Sequence, residues 1–201
     1  MIKAIIFDLF GTLTCGGCDP EKEIIRVFAL REDYNFVEKV VSGAKFGGMD
    51  AYLSNIINQL NLPDNPETRK ALEDIFEQDV TKEKINPEMV ALVKALKSKD
   101  LKLGLLSDMP NPIYDLVGKA NLCALFDEIL YSYSTGLSKP DLRFFGMMVS
   151  KLGVKNEEII MVGDSLRRDI SPARELGMKP ILFQSADQLR KELASFSISV
   201  D

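Results

Sequence analysis

Strand and helix patterns alternate along the chain after about residue 83, and this alternation limits the fold more than any other feature. Amphipathic patterns predict helices, and the short apolar runs between them predict strands that are buried on both faces. The predicted helices cover residues 87–97, 112–120, 141–152 and 169–176, and the predicted strands cover residues 101–106, 128–131, 158–162 and 180–183. The alternation is typical of parallel βαβ units and predicts an α/β fold in which helices flank a parallel sheet.

One more strand is predicted at residues 2–7, which brings the sheet to five strands and ends at the carboxylate of Asp8. In an open α/β sheet, ligands bind just outside the carboxyl ends of the strands. Asp8 therefore lies where a catalytic or binding group is expected, and Gly11 and Thr12 follow it as a turn that carries a hydroxyl. Phe10 stands two residues after Asp8, at a position where a second acid could assist.

Residues 19–82 interrupt the alternation after its first strand and show helical periodicity alone. Asp19, Pro20 and Glu21 form a helix-start signal, because a capping acid precedes a proline in the first turn. Further helical spacing is found near residues 33–43, 49–60 and 66–80. The sequence thus predicts two domains, an α/β core of residues 1–18 and 83–201 and an inserted all-helical domain of residues 19–82.

Polar side chains follow the predicted strands at their carboxyl ends. Parallel strands end at one edge of a sheet, so we expect these groups to converge there. Asp8, Asp164 and Asp169 would repel one another without a cation, and a set of carboxylate oxygens suits Mg²⁺. Lys139 and the hydroxyl of Ser107 could hold a bound anion beside them. A carboxylate that attacks phosphorus would form an aspartyl-phosphate and split one displacement into two.

Composition excludes several classes of protein. The chain contains no histidine, which excludes Ser-His-Asp and Cys-His nucleophile systems and His-ligated zinc. The net charge of −5, with no long basic run, argues against a nucleic-acid partner. No apolar stretch approaches the roughly 20 residues of a membrane span, and no signal-peptide pattern is present. Three cysteines, an odd number, suit reduced thiols, so we expect a cytoplasmic protein without a membrane partner.

Four motifs in order give the chain a specific resemblance. They are Asp8-Leu9-Phe10-Gly11-Thr12, Ser107 after a strand, Lys139, and Gly163-Asp164 followed by Asp169. The chain resembles the haloacid dehalogenase-like superfamily of hydrolases over its whole length. The resemblance implies a Rossmann-like α/β core, and it implies that the helical insert between the first and second motifs is a cap that selects the substrate. Residues 13–19 would be the flexible segment that couples the cap to the chemistry.

The same resemblance assigns roles to the motif residues. It implies Asp8 as the nucleophile and a ligand of the Mg²⁺ cofactor, together with the backbone carbonyl of Phe10 and with Asp164, which Asp169 supports. It implies Ser107 and Lys139 as catalytic residues that steady the nucleophile and hold the phosphoryl group. The expected contacts to a small phosphorylated substrate come from Thr12, Ser107, Asp108 and Lys139.

Phe10 departs from the pattern of the superfamily, whose phosphatases usually carry an aspartate there as general acid and base. Loss of such a group typically costs about 10²–10⁴-fold in rate. The sequence therefore leaves three hypotheses. The first is a Mg²⁺-dependent phosphatase of small phosphomonoesters, the second a metal-independent 2-haloacid dehalogenase, and the third a catalytically weak protein that binds Mg²⁺ and phosphate. Gly163 with Asp164 and Asp169 matches the metal-binding form of the fourth motif and favours the first hypothesis.

Overall fold

A five-stranded parallel sheet forms the centre of the computed structural model, which describes residues 1–42, 48–109 and 115–200. The strands are β1 (Ala4–Phe7), β2 (Thr14–Cys15), β3 (Lys84–Ile85), β4 (Lys102–Ser107), β5 (Glu128–Tyr131), β6 (Ile159–Gly163) and β7 (Lys179–Leu182). The large sheet has the order β5-β4-β1-β6-β7. The predicted α/β class and its five parallel strands are confirmed.

Helices cover both faces of this sheet. They are α1 (Pro20–Val27), α2 (Tyr34–Val41), α3 (Met49–Gln59), α4 (Pro66–Lys82), α5 (Pro87–Lys97), α6 (Leu116–Lys119), α7 (Ser132–Thr135), α8 (Leu142–Leu152), α9 (Ser171–Glu175) and α10 (Ala186–Ser195). Among the described residues, no helix is both long enough and apolar enough to cross a membrane.

The central strand β1 is buried on both of its faces, as its unbroken apolar sequence predicts. Ile5 and Phe7 pack into one hydrophobic cluster, whereas Ala4 and Ile6 pack into the cluster on the opposite face, and all four are fully buried. Side chains of a strand alternate between the two faces of the sheet, so a strand between two helical layers must be apolar at every position. Asp8 follows directly as the first charged residue after the strand.

The described part of the segment between β2 and β3 contains four helices and no strand, as predicted. Asp19 caps α1 by accepting from the Lys22 amide, and Asn65 caps α4 by accepting from the Thr68 amide. Each of these helices has a proline in its first turn, where the missing N–H is not needed. Tyr52 and other buried side chains of these helices belong to the same hydrophobic cluster as Phe7 of β1.

Several elements differ from the sequence prediction. The short strands β2 and β3 were not predicted; β2 pairs antiparallel with β3, and the amide of Asn86 donates to the carbonyl of Leu13 at 2.9 Å. The two chain connections to the helical segment thus bind each other. Of the helix predicted over 112–120, α6 is observed, and residues 112–114 lie outside the described residues.

The helix predicted over 169–176 begins earlier and is irregular. A π-helical turn spans Leu166–Ile170, and α9 follows it. The short helix α7 and the last helix α10 were not predicted.

Candidate active site

Lys139 joins two buried carboxylates at the carboxyl edge of the sheet. Its Nζ donates to Asp8 Oδ1 at 2.6 Å and to Asp169 Oδ1 at 2.7 Å. All three residues are at most 5% exposed. The topology explains this meeting, since Asp8 follows β1, Asp169 lies after the neighbouring strand β6, and Lys139 lies between β5 and α8. The predicted convergence of these residues is observed.

Asp164 completes an acidic group beside Lys139. One carboxylate oxygen from each of Asp8, Asp164 and Asp169 lies within 4.8 Å of the others, and Asp164 is exposed. Asp169 is held by the amide of Ser165, which donates to its Oδ2 at 3.0 Å. This set of three oxygen donors, with one open to solvent, fits the coordination of Mg²⁺.

Two glycines make room for these carboxylates. A Cβ at Gly11 would lie 2.2 Å from Asp164 Oδ2, and one at Gly163 would lie 2.4 Å from Asp169 Cγ. Gly11 also has a φ of +73°, a conformation that side chains with a Cβ rarely adopt. Two features therefore require glycine at position 11, the positive φ of the turn and the close approach of the Asp164 carboxylate.

Burial and neighbouring charge shift the titration of the site. Burial, together with the charges of Asp169 and Asp164, raises the pKa of Asp8 to about 7 against the opposing charge of Lys139. Burial alone would favour neutral Lys139, but the facing carboxylates, Asp169 first, raise its pKa above the usual value. Partial desolvation of its carboxyl group and the charge of Asp169 raise the pKa of Asp164, although the residue as a whole is exposed. Three carboxylates facing one ammonium group leave the site short of positive charge.

The other predicted site residues occupy different positions around Asp8. Thr12 is fully buried, with its Oγ1 3.4 Å from Asp8 Oδ2. Ser107 is also fully buried, and its hydroxyl makes no hydrogen bond within the described part of the chain. Asp108 accepts a hydrogen bond at Oδ1 from the backbone amide of Lys139 at 2.8 Å. Phe10 is half-buried and packs against the hydrophobic core.

A cavity of about 360 Å³ opens from this edge of the sheet. Its sheet wall includes Asp8, Phe10, Gly11, Asp108, Lys139 and Asp164. Its helical wall includes Asp19, Glu21, Tyr34, Ser42, Tyr52, Phe76, Asp79 and Glu83. Thr12, Ser107 and Asp169 do not belong to its described lining.

Arg168 is a cavity residue that the sequence interpretation missed. Its Nη1 lies 3.3 Å from Ser42 Oγ and 3.7 Å from Asp108 Oδ2, and its Nε lies 3.3 Å from Glu38 Oε1. Arg167 pairs with the same glutamate on α2. Arg168 thus connects the sheet wall to the helical wall. Its position directly before the motif residue Asp169 was the signal available in the sequence.

Comparison with known proteins supports the resemblance. A curated relative, the glyceraldehyde 3-phosphate phosphatase of Methanocaldococcus jannaschii, is 36% identical over 93 residues, which are 46% of this chain and 41% of that protein. The match thus spans less than half of the relative's length.

Two solved structures share the fold. A HAD-like family hydrolase from Porphyromonas gingivalis superposes with a TM-score of 0.70 over 100% of both chains at 20% identity. A HAD family enzyme from Bacteroides thetaiotaomicron, solved in complex with magnesium and inorganic phosphate, gives a TM-score of 0.63 over 92% of this chain and 95% of that one, at 16% identity.

The model of the haloacid dehalogenase-like hydrolase family matches residues 2–177, a range that contains every motif residue named above. Since this match covers most of the chain and the fold agrees with it, the protein belongs to the haloacid dehalogenase-like hydrolases.

Proposed function

We propose that this protein is a Mg²⁺-dependent phosphatase that acts on small phosphomonoesters through an aspartyl-phosphate at Asp8. The observation that carries the proposal is the placement of the Asp8 carboxylate, which lines a cavity, is held by Lys139 and lies beside Asp164 and Asp169. The phosphatase named among the relatives and the related fold solved with magnesium and phosphate support the same chemistry.

The residues present fit a Mg²⁺ ion. Asp8 and Asp164, with the backbone carbonyl of Phe10, would hold the ion, and Asp169 would support them from its bond to Ser165. Bound there, Mg²⁺ would neutralise carboxylate charge and attract a phosphoryl oxygen. The fit rests on a donor set of oxygen atoms only and on the excess of negative charge around Lys139.

The chain's own groups would carry the substrate and the nucleophile. Lys139 fixes Oδ1 of Asp8, and Oδ2, which the Thr12 hydroxyl contacts at 3.4 Å, would attack phosphorus. The unpartnered hydroxyl of Ser107, on the strand next to β1, would donate to the phosphoryl group. The bond from Lys139 would hold the nucleophile in one orientation before the displacement.

The helical segment would act as a cap. We assign residues 1–18 and 83–201 to the core and residues 19–82 to the cap, whose side chains form the wall of the cavity opposite Asp8. Substrate selection would depend on that wall, because it is the part of the cavity that the leaving group would face. The pairing of β2 with β3 joins the two chain connections at the base of the cap.

A substrate screen tests this proposal. Phosphate release from p-nitrophenyl, sugar and nucleoside phosphates is measured with Mg²⁺ and with EDTA, alongside Asp8→Asn. We expect release that needs Mg²⁺ and that is lost in the variant. Halide release from 2-haloacids without metal would instead identify a dehalogenase, and binding of Mg²⁺ without turnover of either class would identify a silent binding protein.

Metal binding can be measured without turnover. Mg²⁺ should raise the thermal midpoint of unfolding, because a ligand that binds only the folded state stabilises it. Asp164→Asn should reduce this rise strongly, whereas the exposed control Asp187→Asn should retain it. An equal rise in both variants would place the ion elsewhere.

A further inference from the structure

The proposed phosphatase lacks a proton donor at position 10. An alkoxide leaving group needs a proton when its bond to phosphorus breaks, and the water that later attacks the aspartyl-phosphate must lose one. Phe10 has no ionisable group, and Lys139 is occupied by Asp8 and Asp169. If the proposed function holds, another side chain at the sheet edge must transfer these protons.

Asp108 follows β4, which pairs with β1 on the edge away from Asp164. β4 and β6 pair with opposite edges of β1, so Asp108, after β4, and Asp164, after β6, flank Asp8 from opposite directions. Both Asp8 and Asp108 line the same cavity. We therefore infer that a substrate bound at Asp8 in this cavity would meet Asp108 on the side opposite Asp164.

One oxygen of Asp108 is committed and the other is available. Oδ1 accepts from the backbone amide of Lys139 at 2.8 Å, which fixes the orientation of the carboxyl group. The side chain is only 5% exposed, and its buried Oδ2 accepts no hydrogen bond from any described residue. Arg168 Nη1 lies 3.7 Å from it. A buried carboxyl oxygen without a hydrogen bond is costly unless a ligand or a proton satisfies it.

We propose that Asp108 is the general acid and base of this hydrolase, in place of the acid missing at position 10. In the first step, Asp8 Oδ2 forms a bond to phosphorus, the bond between phosphorus and the alcohol oxygen breaks, and the proton of Asp108 passes to that oxygen. In the second step, Asp108 takes a proton from water as the water oxygen bonds to phosphorus and the bond to Asp8 breaks. Alcohol and phosphate leave, and Asp108 is protonated again.

The charges around Asp108 suit both of its forms. Burial raises its pKa above the usual value and so favours the acid. Lys139 and Arg168 favour the carboxylate, and Asp169 favours the acid. Arg168 also lies close enough to stabilise the carboxylate formed after the first proton transfer.

The other carboxylates of the cavity are less suited to this role. Asp19, Glu21, Asp79 and Glu83 belong to the helical wall or to its junction with the core. Asp19 is paired with Lys22, and Asp79 lies on α4 in the helical wall. Among the described lining residues, Asp108 is the acid that follows a strand directly bonded to β1 on the side opposite Asp164.

The test compares two leaving groups of nearly the same shape. Phenyl phosphate needs a proton for its leaving group far more than p-nitrophenyl phosphate does. In Asp108→Asn, we expect the first-turnover rate to fall about 10²–10⁴-fold with phenyl phosphate and less than about 10-fold with p-nitrophenyl phosphate. A burst of nitrophenolate equal to the enzyme should then precede slow turnover, because hydrolysis of the aspartyl-phosphate lacks its base.

Controls separate proton transfer from binding. Asparagine has nearly the same shape as aspartate and keeps an oxygen for the Lys139 amide, and Asp108→Ala is a second variant in which the same contrast is expected. Ser107→Ala and Glu21→Gln should change the rates with the two substrates by the same factor. Equal losses with both substrates in Asp108→Asn would overturn the role of Asp108 alone. Wild-type activity in Asp8→Asn, or no phosphate release by the unaltered protein, would overturn the proposed function and this inference with it.

Discussion

The two walls of the cavity differ in how their charges are balanced. On the sheet wall, Lys139 forms ion pairs of 2.6 and 2.7 Å with Asp8 and Asp169. On the helical wall, Glu21 and Asp79 form no ion pair within 4.0 Å with any described residue, and burial raises the pKa of Glu21 to about 7 and that of Asp79 to about 6. Lys139 holds Asp8 and Asp169 of the sheet wall in place, whereas Glu21 and Asp79 of the helical wall have no such counter-ion among the described residues.

This difference indicates that the two walls of the cavity have different functions. Buried charges that are paired and hydrogen-bonded keep one geometry, which suits groups that must meet a reacting atom. Glu21 and Asp79 have no ion pair that fixes their position, and the protonation of each changes the charge that a ligand meets. Arg168 and Arg167, which reach Glu38 on α2, are the described cations that link the two walls.

The largest expected effect comes from removing the cation of the sheet wall. Lys139→Ala leaves Asp8 and Asp169 facing each other without a counter-charge, and we expect a loss of about 3–5 kcal/mol in the free energy of unfolding near pH 7. Urea denaturation measures it. The exposed pair of Lys70 with Asp74 offers a control, since Lys70→Ala should leave the denaturation midpoint nearly unchanged. Similar losses in the two variants would contradict the account of the sheet wall.

An intermediate effect is expected from the link between the walls. Glu38→Gln removes the carboxylate that both arginines contact, while the side chain, only 7% exposed, keeps its shape. We expect a loss of about 1–3 kcal/mol, the range for a buried polar group that loses its partner. Chemical denaturation at neutral pH checks it, with the exposed Glu73→Gln as control. An unchanged stability would mean that the link does not hold the walls together.

The third effect concerns pH and is the smallest when it is expressed per pH unit. The pKa of Glu21 rises from 4.5 to about 7 on folding, so between these values the folded protein keeps a proton that the unfolded chain has lost. Stability therefore falls as pH rises through this window, by at most about 1.4 kcal/mol per pH unit for this one group. In Glu21→Gln, the decrease of stability with rising pH should be smaller, whereas Glu23→Gln on the same helix should show the same decrease as the unaltered protein. Thermal unfolding between pH 4.5 and pH 7 distinguishes them, and a slope equal in all three proteins would contradict the account of the helical wall.

The sheet and the convergence of its motif residues were predictable from the sequence. A strand such as Ala4–Phe7, in which every residue is apolar, is predicted to be buried on both faces. Because the strands of the sheet are parallel, the residues that follow them lie at the same edge of the sheet. Asp8, Lys139, Asp164 and Asp169 were located in this way. The agreement follows from a rule about topology that needs no knowledge of side-chain packing.

The helical wall could not be predicted to the same depth. The periodicity of residues 19–82 predicted helices, but not which of their side chains would face Asp8, because this depends on how the helices pack on the sheet. Glu21, Tyr34 and Asp79 reach the cavity from separate elements. Arg168 was missed because its partners, Glu38 and Asp108, are distant in sequence. The pairing of β2 with β3, two residues each, is too short to leave a pattern.

The most direct test of the account is to identify the residue that receives the phosphoryl group. The protein is mixed with p-nitrophenyl phosphate and Mg²⁺, quenched in acid during the first turnover, and treated with borohydride, which reduces an aspartyl-phosphate to homoserine. Peptide mass spectrometry should then find homoserine at position 8, and none after the same treatment without substrate. Phosphate release with aspartate intact at position 8 and homoserine at another acid, or at none, would contradict the assignment of Asp8 as the nucleophile.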